Sequence, residues 1–562
     1  MKVGNVRIST VAVFALTVAL VVIPLLTDAD PVWKKFGADE AQTGRTSEIA
    51  SRTGDLYWTF DTFNFNFCSP AIAENEQVCF GSRNGLFFAL SPEGDLEWQF
   101  DAIARVDSSP AIDTYGNIYF GANNGLMYCI TGPTIVATLG TLNWSYDARD
   151  AVFSSPTLDQ NEYSVFFGTD DGQLVSIFSE NFPATQGTVQ WSLQLGDRIF
   201  ASPAYRYYDL APTGDPAGDV AMTYIGTELG LYDGLLYGIQ VPIDPAASTL
   251  ATIAWVYPDV GDDPLGSVQS SVTVSEDGNF IYFGSKDGNL YCLTSSGYIQ
   301  WTYETSGMVD SSPGLLSTGE IVVGSRDGAV YCIDDQGDLQ WSFETGQGIE
   351  SSPAIDGNDN VFIGSRDGFL YSISPNGVQN WRYSSGYHIW SSPVIGKQSY
   401  FGTGPEPLVT TATIYFTGAD LKAHAVREDR SGPYFLSRSP DDGETGVRKN
   451  LSNIVFEIVD NQTDVDRESI FVLLKWDRVY PSFERIEEED YRGWRGTYYC
   501  GDETFSYDEE VVVLIEACDT AWEPNCIEEV YYFTIESSTR RSPAKPQKLG
   551  LDTVPRPAIT TR

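Results

Sequence analysis

Residues suited to molecular recognition recur at one place in the sequence, directly before a repeated Ser-Ser-Pro element. They are Phe67, Asp107, Phe153, Phe200, Asp310, Glu350 and Trp390. Basic residues precede nearby Asn-Gly or Asp-Gly turns, at Arg83, Lys286, Arg326 and Arg366. Because aromatic and Arg side chains dominate binding hot spots, this pattern favours a face that binds a peptide, a glycan or a cation. We expect aromatic groups on one arc of this face and carboxylates on the other; an ordinary solvated rim is the alternative.

Side chains for acid–base or metal chemistry are scarce. The chain has two histidines, His388 and His424, which argues against a haem or a His-rich metal centre. His388 lies beside the aromatic arc, either as a pH switch or as a passive rim residue, and we expect His424 to pack within a strand. The acidic stretch 487–490 is either a Ca²⁺ ligand set or a solvated loop. We predict no catalytic residue and no metal site.

The eight cysteines divide into three groups. Cys68 and Cys79 lie on successive strands of one hairpin, where a disulfide and two free thiols are both open. Cys500, Cys518 and Cys526 lie near the C terminus, where an exported protein would form one disulfide, and the Cys518–Cys526 pair closes the shortest loop. The others recur at one repeat position, which indicates buried small residues: Cys129, Cys292 and Cys332.

The charge of the chain excludes some partners. Its 562 residues carry a formal charge of −43, and the pI is about 4.2. Such a surface repels phosphate backbones and anionic lipid, so we expect neither nucleic-acid binding nor electrostatic membrane docking.

A repeated unit must position these residues. Its clearest copy runs from Gly337 through Ser351-Ser-Pro-Ala-Ile355 to Val361-Phe-Ile-Gly-Ser-Arg-Asp-Gly-Phe-Leu-Tyr-Ser-Ile373. One Trp marks each copy, at Trp58, Trp98, Trp144, Trp191, Trp255, Trp301, Trp341 and Trp381. Four strand-like segments per unit, with hairpin turns at Asn-Gly and Asp-Gly, predict an all-β, eight-bladed propeller over 54–430. The segment 54–60 has no preceding strands and should complete the last blade.

The repeated Trp residues are expected to be structural, although a ligand platform is the alternative. Each recurs once per blade together with one small residue, and a large side chain against a small one fills an interface without voids. The small positions are Ala89, Cys129, Ser176, Gly238, Cys292, Cys332, Ser372 and Ala423.

The repeat pattern Gly-x-Leu-x-Trp-x-Phe, Ser-Ser-Pro-Ala-Ile and Gly-Ser-x-Asp-Gly-x-Leu-Tyr resembles the pyrroloquinoline-quinone-like (PQQ-like) repeat. The resemblance implies the eight-bladed propeller of quinoprotein dehydrogenases and of BamB-type envelope-assembly factors. In the enzymes it implies a quinone held by Ca²⁺, Glu and Asn ligands, a catalytic Asp, a Trp floor and often adjacent cysteines. None of those residues can be assigned in this sequence, so we expect no cofactor.

Both ends of the chain differ in composition from the repeats. Residues 1–29 combine a positive start with an apolar run and predict a signal peptide, or else an uncleaved anchor that would be the one membrane contact. An entry segment follows at 30–53. Alternating strands over 431–537 predict a β-sandwich that resembles bacterial Ig-like modules. The basic, Pro-containing segment 538–562 reads as a flexible tail.

These features predict an exported, non-catalytic scaffold, located in the periplasm, at the cell surface or outside the cell. It would present one propeller face to a protein, peptide or glycan partner. The alternatives are a PQQ-dependent quinoprotein oxidoreductase with bound calcium, and a BamB-like envelope-assembly factor.

Overall fold

The computed structural model describes residues 33–535, except for 134–137, 183–184, 210–218, 229–232, 244–249, 260–262, 398–399, 402–407, 410, 429–433, 441–443, 449–450, 452, 461–464, 476, 488–491, 501–504, 507–508 and 519–525. The predicted signal peptide, most of the acidic stretch 487–490 and the tail 538–562 lie outside the described residues. No helix in the described ranges is both long and apolar enough to cross a membrane.

The propeller is built of antiparallel strands. After β1 (Leu56–Asp61), four sheets follow in chain order, which we number blades 1 to 4. Blade 1 contains β2 (Ala71–Ile72), β3 (Val78–Gly81), β4 (Leu86–Leu90) and β5 (Leu96–Asp101). Blade 2 contains β6 (Ala111–Ile112), β7 (Asn117–Gly121), β8 (Leu126–Thr131) and β9 (Thr141–Asp147). Blade 3 contains β10 (Thr157–Leu158), β11 (Ser164–Gly168), β12 (Gln173–Phe178) and β13 (Val189–Gln194). Blade 4 contains β14 (Ala204–Tyr208), β15 (Val220–Gly226), β16 (Leu236–Val241) and β17 (Thr252–Tyr257).

Three further blades repeat this order, and the eighth closes the ring. Blade 5 contains β18 (Thr273–Val274), β19 (Phe280–Gly284), β20 (Asn289–Thr294) and β21 (Ile299–Glu304). Blade 6 contains β22 (Gly314–Leu315), β23 (Ile321–Gly324), β24 (Ala329–Ile333) and β25 (Leu339–Glu344). Blade 7 contains β26 (Ala354–Ile355), β27 (Val361–Gly364), β28 (Phe369–Ile373) and β29 (Gln379–Ser384). Blade 8 contains β30 (Val394–Ile395), β33 (Ile414–Thr417) and β34 (Lys422–Val426), and a two-stranded insertion contains β31 (Tyr400–Phe401) and β32 (Leu408–Val409).

The two ends of the propeller meet in blade 8. Strand β1 pairs with β34 and supplies the outer strand of that sheet, so both ends of the repeat region share one ladder. The prediction of an all-β propeller is therefore confirmed, and the segment 54–60 closes it as its strand pattern indicates.

A ring of serine hydrogen bonds joins the innermost strands. The serine of the ring is the second residue of each Ser-Ser element, or follows Cys68 in blade 1 and Ala201 in blade 4. Its backbone N–H donates to the side-chain oxygen of the equivalent serine in the next blade, at 2.9–3.2 Å. The serines are Ser69, Ser109, Ser155, Ser202, Ser271, Ser312, Ser352 and Ser392. This ring therefore links the inner edges of neighbouring blades around the whole propeller.

Each repeat Trp lies on the outer strand of its blade, across from a small residue on the next strand inward. These small residues are Ala89, Cys129, Ser176, Gly238, Cys292, Cys332, Ser372 and, in blade 8, Ala425. The indole also reaches the following blade, as where Trp301 Nε1 donates to the carbonyl oxygen of Asp335 at 2.9 Å. The Trp side chains thus fill space within and between blades.

The prediction that Ala423 is the small residue across from the repeat Trp of blade 8 is wrong. Ala423 faces Phe60, and Ala425 lies across from Trp58 instead. The cause is the turn before β34, where Leu421 occupies the place of the usual turn glycine, with a φ of +70°. Without the Asp-Gly dipeptide, the sequence offers no fixed point for aligning this strand with the other repeats.

The C-terminal region forms two sheets around one core. Its elements are β35 (Tyr434–Ser439), β36 (Thr445–Val447), β37 (Asn453–Asp460), a 3₁₀ helix (Arg467–Ser469), β38 (Phe471–Leu474), β39 (Asp477–Val479), β40 (Ser482–Glu487), β41 (Arg492–Tyr499), β42 (Glu510–Cys518) and β43 (Cys526–Ile535). The sheet orders are β35-β37-β41-β40 and β36-β43-β42-β38-β39. Phe456 from one sheet and Tyr531 from the other lie in the same buried cluster, which is the arrangement of a β-sandwich. The Ig-like relationship stays a prediction.

The cysteines form one disulfide, and the others described are buried free thiols. Cys518 and Cys526 face each other on β42 and β43 and form a disulfide. Cys68 and Cys79 are buried free thiols, so the bridge between them is not formed. Cys68 occupies the place of the first serine of the repeat element, and its Sγ accepts a hydrogen bond from the N–H of Gly81 at 3.1 Å. Burial raises the pKa of the Cys68 thiol to about 12, which leaves it unreactive at neutral pH.

Candidate binding face

The residue directly before each Ser-Ser element lies at one mouth of the central channel, which we call the rim face. The position of each of these residues is set by the residue before it in the sequence. Val106 packs on Gly81 of the preceding blade so closely that a Cβ on this glycine would lie 2.1 Å from the Val106 side chain. Because successive side chains of an extended segment point in opposite directions, Asp107 is turned away from the core. All seven predicted residues are half-buried there, as is Gln269 in blade 5.

The aromatic residues of the rim face form two separate stacked pairs. Phe67 and Trp390 lie 4.4 Å apart between ring centroids and are nearly parallel, at 5°. Phe153 and Phe200 lie 5.0 Å apart. Asp107 lies between the two pairs in blade order, so the predicted continuous aromatic arc is interrupted by a carboxylate.

Arginine side chains tie the aromatic and acidic residues together. The guanidinium of Arg83 lies 3.9 Å from the centroid of Phe67, and its Nε is 2.6 Å from an oxygen of Asp107. The guanidinium of Arg198 likewise lies 4.8 Å from the centroid of Phe200, and its Nε is 2.6 Å from an oxygen of Asp170. Cation–π contact and ion pairing therefore hold both aromatic pairs in place.

The acidic arc is a chain of ion pairs rather than free charge. Arg326 contacts both Asp310 and Glu350, and Arg366 contacts Glu350 at 2.7 Å. The carboxylates are largely covered, since the side chain of Asp310 is 7% exposed and that of Glu350 15%. The side chains of Arg326 and Arg366 are 34% and 38% exposed. The surface of this arc is consequently formed by guanidinium groups, and its charge is locally balanced.

Four large apolar residues on the loops of this face are exposed, and the sequence interpretation missed them. They are Phe63, Phe65, Ile103 and Tyr387, with exposures of 78%, 47%, 86% and 64%. All lie in the loops that join blades 7, 8, 1 and 2, around the Phe67–Trp390 pair. Such a concentration is unusual, because exposed apolar residues on a monomer are normally scattered.

Two of these residues hold strained backbone. Phe63 and Ile103 have φ values of +61° and +64°, in the left-handed region that a β-branched residue rarely adopts. The same loop position holds Arg149, Gly196 and Gly386 in other blades, at +71°, +97° and +79°. Phe63 and Ile103 are the large apolar residues among those at this position, and this was the available sequence signal, since glycine adopts this backbone more easily.

The two histidines have different surroundings. His388 is exposed, contacts the carbonyl oxygen of Arg366 and lies 5.6 Å from the Trp390 ring. His424 is 2% exposed, stacks on Phe416 and lies 2.9 Å from a carboxylate oxygen of Asp420. His424 is thus a core residue of blade 8, and only His388 can contact a ligand on the rim face.

The opposite mouth is occupied by the described part of the entry segment, residues 33–53. Its backbone carbonyl oxygens accept hydrogen bonds from backbone N–H groups of seven blades, in chain order. The first bond runs from the N–H of Ile72 in blade 1 to the oxygen of Trp33, and the last from the N–H of Ala412 in blade 8 to the oxygen of Ile49. Burial raises the pKa of Asp39 in this segment, and the Lys35 ammonium lowers the pKa of Glu40. The entry segment is thus hydrogen-bonded to these blades at this mouth.

A cavity of about 820 Å³ lies between the entry segment and blades 4 to 7. Seven carboxylates and two arginines line it, together with Tyr205, Tyr207, Phe280 and Tyr282. The sequence interpretation placed no site at this mouth, because the entry segment carries no repeat motif and the cavity forms only when it crosses the blades.

A quinone with Ca²⁺, which the resemblance implies, does not fit the residues described. The rim carboxylates Asp107, Asp310 and Glu350 are already paired with arginines. Among the described residues, no three His, Cys, Asp or Glu side chains converge as metal ligands would.

Comparisons with known proteins agree with this fold. A family model described as outer membrane protein assembly factor BamB matches residues 248–388 and 286–430. A europium-containing methanol dehydrogenase is 12% identical, with a TM-score of 0.53 over 71% of this chain and 98% of that chain. The quinohemoprotein alcohol dehydrogenase from Comamonas testosteroni is 12% identical, with a TM-score of 0.53 over 74% of this chain and 82% of that chain. BamB from Moraxella catarrhalis is 15% identical, with a TM-score of 0.46 over 67% and 98%. A search of curated proteins gives no match.

The eight radial sheets and these structural likenesses define the class of the protein as a β-propeller. The repeat pattern and the family match over residues 248–430 specify it further: the chain carries a PQQ-like β-propeller. A shared fold does not by itself assign a function, since one fold hosts many activities.

Proposed function

We propose that this protein is an exported, non-catalytic binding platform that captures a polypeptide partner on the rim face of its propeller. The predicted signal peptide supports export, and the Cys518–Cys526 disulfide suits an oxidising compartment. The partner would dock on the loops that join blades 7, 8, 1 and 2.

One observation carries this proposal. Phe63 and Ile103 are 78% and 86% exposed while their backbone adopts a conformation that favours glycine. Exposing a large apolar side chain stabilises nothing in the free chain, and holding it at positive φ opposes folding. A binding partner that buries both side chains would account for both features.

The surrounding chemistry favours a polypeptide over a glycan. An aliphatic side chain such as Ile103 offers neither a flat ring for stacking on a sugar nor a hydrogen bond, but it packs well against apolar side chains of a protein. Arg105, exposed in the same loop, can donate to carbonyl or carboxylate groups of the partner. Aromatic and Arg residues beside an apolar centre are typical of binding hot spots.

The enzymatic alternative has a direct test. The chain is incubated with the quinone and Ca²⁺, and oxidation of alcohols and sugars is then assayed. We expect no turnover, because the carboxylates that could hold Ca²⁺ at the rim are engaged by Arg83, Arg326 and Arg366. Turnover that depends on both additions would overturn the non-catalytic assignment.

Site-specific photo-crosslinking tests the platform itself. A photoreactive amino acid is introduced at Phe65 on the rim face, and in a matched protein at Tyr298, which is 72% exposed on the outer perimeter of blade 5. Each protein is irradiated in an envelope extract of the source cells. We expect a discrete polypeptide adduct from position 65 alone. Equal labelling from both positions, or none from position 65, would contradict the proposal.

A further inference from the structure

The cavity at the entry-segment mouth combines an acidic lining with aromatic walls. Seven carboxylates and two arginines line it; Glu40 is paired with Lys35, and the other exposed carboxylates are Glu276, Asp277 and Asp335. It also has aromatic walls, of which Tyr207 and Phe280 are half-buried. Negative charge beside aromatic side chains suits an extended cationic ligand that also offers apolar surface.

The carboxylates are spread along the cavity. No three of the described acidic, His or Cys side chains converge as ligands of one metal ion. Glu276 has a side chain that is 81% exposed and lies 3.6 Å from Arg45, in a loose ion pair, and Asp335 is exposed. The cavity thus favours charge distributed along a chain over a single bound cation.

The chain itself contains a segment of matching chemistry. Residues 540–562 carry six basic residues and one acidic residue, whereas the whole chain has a charge of −43. They begin with Arg540-Arg541-Ser542-Pro543-Ala544-Lys545-Pro546, in which two prolines stand three residues apart among basic residues. Such Pro-x-x-Pro segments favour the extended polyproline II conformation and dock in grooves lined by aromatic residues.

We propose that the C-terminal segment 540–562 binds in this cavity of its own chain, with its basic side chains facing the carboxylates and its prolines against the aromatic walls. This assigns a ligand to the entry-segment mouth and is independent of partner capture on the rim face.

Length and tethering permit this arrangement. The strand β43 ends at Ile535. As polyproline II, the chain from there to Pro546 spans about 34 Å and the chain to Arg562 about 84 Å. The longer span exceeds the diameter of about 55 Å expected of a compact domain the size of the propeller, so the distal part of the segment, which carries Lys548, Arg556 and Arg562, has the reach. Because a tethered ligand experiences a millimolar effective concentration, even a weakly binding segment would occupy the cavity most of the time.

A peptide-binding experiment tests this proposal. A fluorescent peptide of residues 537–562 is titrated, at low salt, with the full chain and with a chain that ends at Glu536. Fluorescence anisotropy should report binding to the shortened chain, and binding to the full chain weaker by about tenfold or more because the cavity is already occupied. No binding to the shortened chain, or equal binding to both chains, would overturn the proposal.

Matched variants separate the cavity from general charge attraction. In the shortened chain, Glu276→Gln with Asp335→Asn should weaken peptide binding by about threefold to tenfold. Glu93→Gln with Asp95→Asn removes the same two charges from an exposed turn of blade 1 and should leave binding unchanged. A peptide with Pro543→Ala and Pro546→Ala should also bind more weakly. Equal losses from the two double variants would contradict a defined site.

Discussion

The backbone N–H of Ser392 donates a hydrogen bond to the side-chain oxygen of Ser69 at 2.9 Å, although 323 residues separate the two in sequence. This bond completes a ring in which eight serines repeat the same contact from blade to blade. Together with the pairing of β1 and β34, it joins the first blade to the last at the inner edge as well as the outer. The rim face lies directly above this ring, which gives its loops a rigid base.

Removing one ring acceptor should destabilise the propeller. In Ser69→Ala the buried N–H of Ser392 loses its partner, so we expect the free energy of unfolding to fall by about 1–3 kcal/mol. Denaturant titration measures the change. Ser306→Ala, at an exposed serine, is the matched control and should have no effect. If the two variants are equally stable, the ring does not contribute to stability.

Overpacking beneath a repeat Trp should also destabilise the fold. A Cβ on Gly238 would lie 2.1 Å from the indole of Trp255, so Gly238→Ala should lower the free energy of unfolding by about 1–3 kcal/mol. Cys332→Ala places alanine at the equivalent position of blade 6, where blade 1 has Ala89, and should be tolerated. A thermal unfolding midpoint for Gly238→Ala equal to that of the parent chain would refute this packing.

A buried carboxylate predicts a pH dependence. Burial raises the pKa of Asp159 from 3.8 to about 6, although its Oδ1 accepts hydrogen bonds from the N–H groups of Tyr163 and Ser164. A raised pKa means that the folded state binds this proton more tightly than the unfolded state does. The stabilisation by Asp159 is therefore fully present below pH 3.8 and is lost as the pH rises through about 6.

Asp159→Asn should remove this dependence, because an amide oxygen can accept the same two hydrogen bonds without a charge. Between pH 4 and pH 7 the parent chain should lose up to about 3 kcal/mol of stability relative to the variant. Denaturant titrations of both proteins at the two pH values give the difference. A constant difference across this range would show that Asp159 titrates normally.

The sequence predicted the repeated parts of the molecule and missed the parts that depart from the repeat. Trp, Asp-Gly and Ser-Pro recur from blade to blade, because each blade needs a packed Trp, a hairpin turn and an inner strand. The blades and the rim residues could therefore be predicted from these three signals. The Ala423 error arose where Leu421 replaced the turn glycine. Phe63 and Ile103 were missed because exposure and positive φ belong to the folded loop, and the cavity because it forms between segments distant in sequence.

We propose that Phe63 and Ile103 serve a partner and not the fold. Phe63→Gly with Ile103→Gly supplies the residue that this backbone favours, so the double variant should be at least as stable as the parent, with a gain of up to about 1 kcal/mol. Tyr298→Ser with Leu339→Ser removes exposed apolar side chains from the perimeter and is the matched control.

The most direct measurement is retention of the crosslinked partner on immobilised protein, compared between the parent, the glycine double variant and the perimeter control. We expect the parent and the control to retain it equally and the glycine variant, although fully folded by thermal denaturation, to lose at least about tenfold in affinity. Undiminished retention by the folded glycine variant would contradict the account.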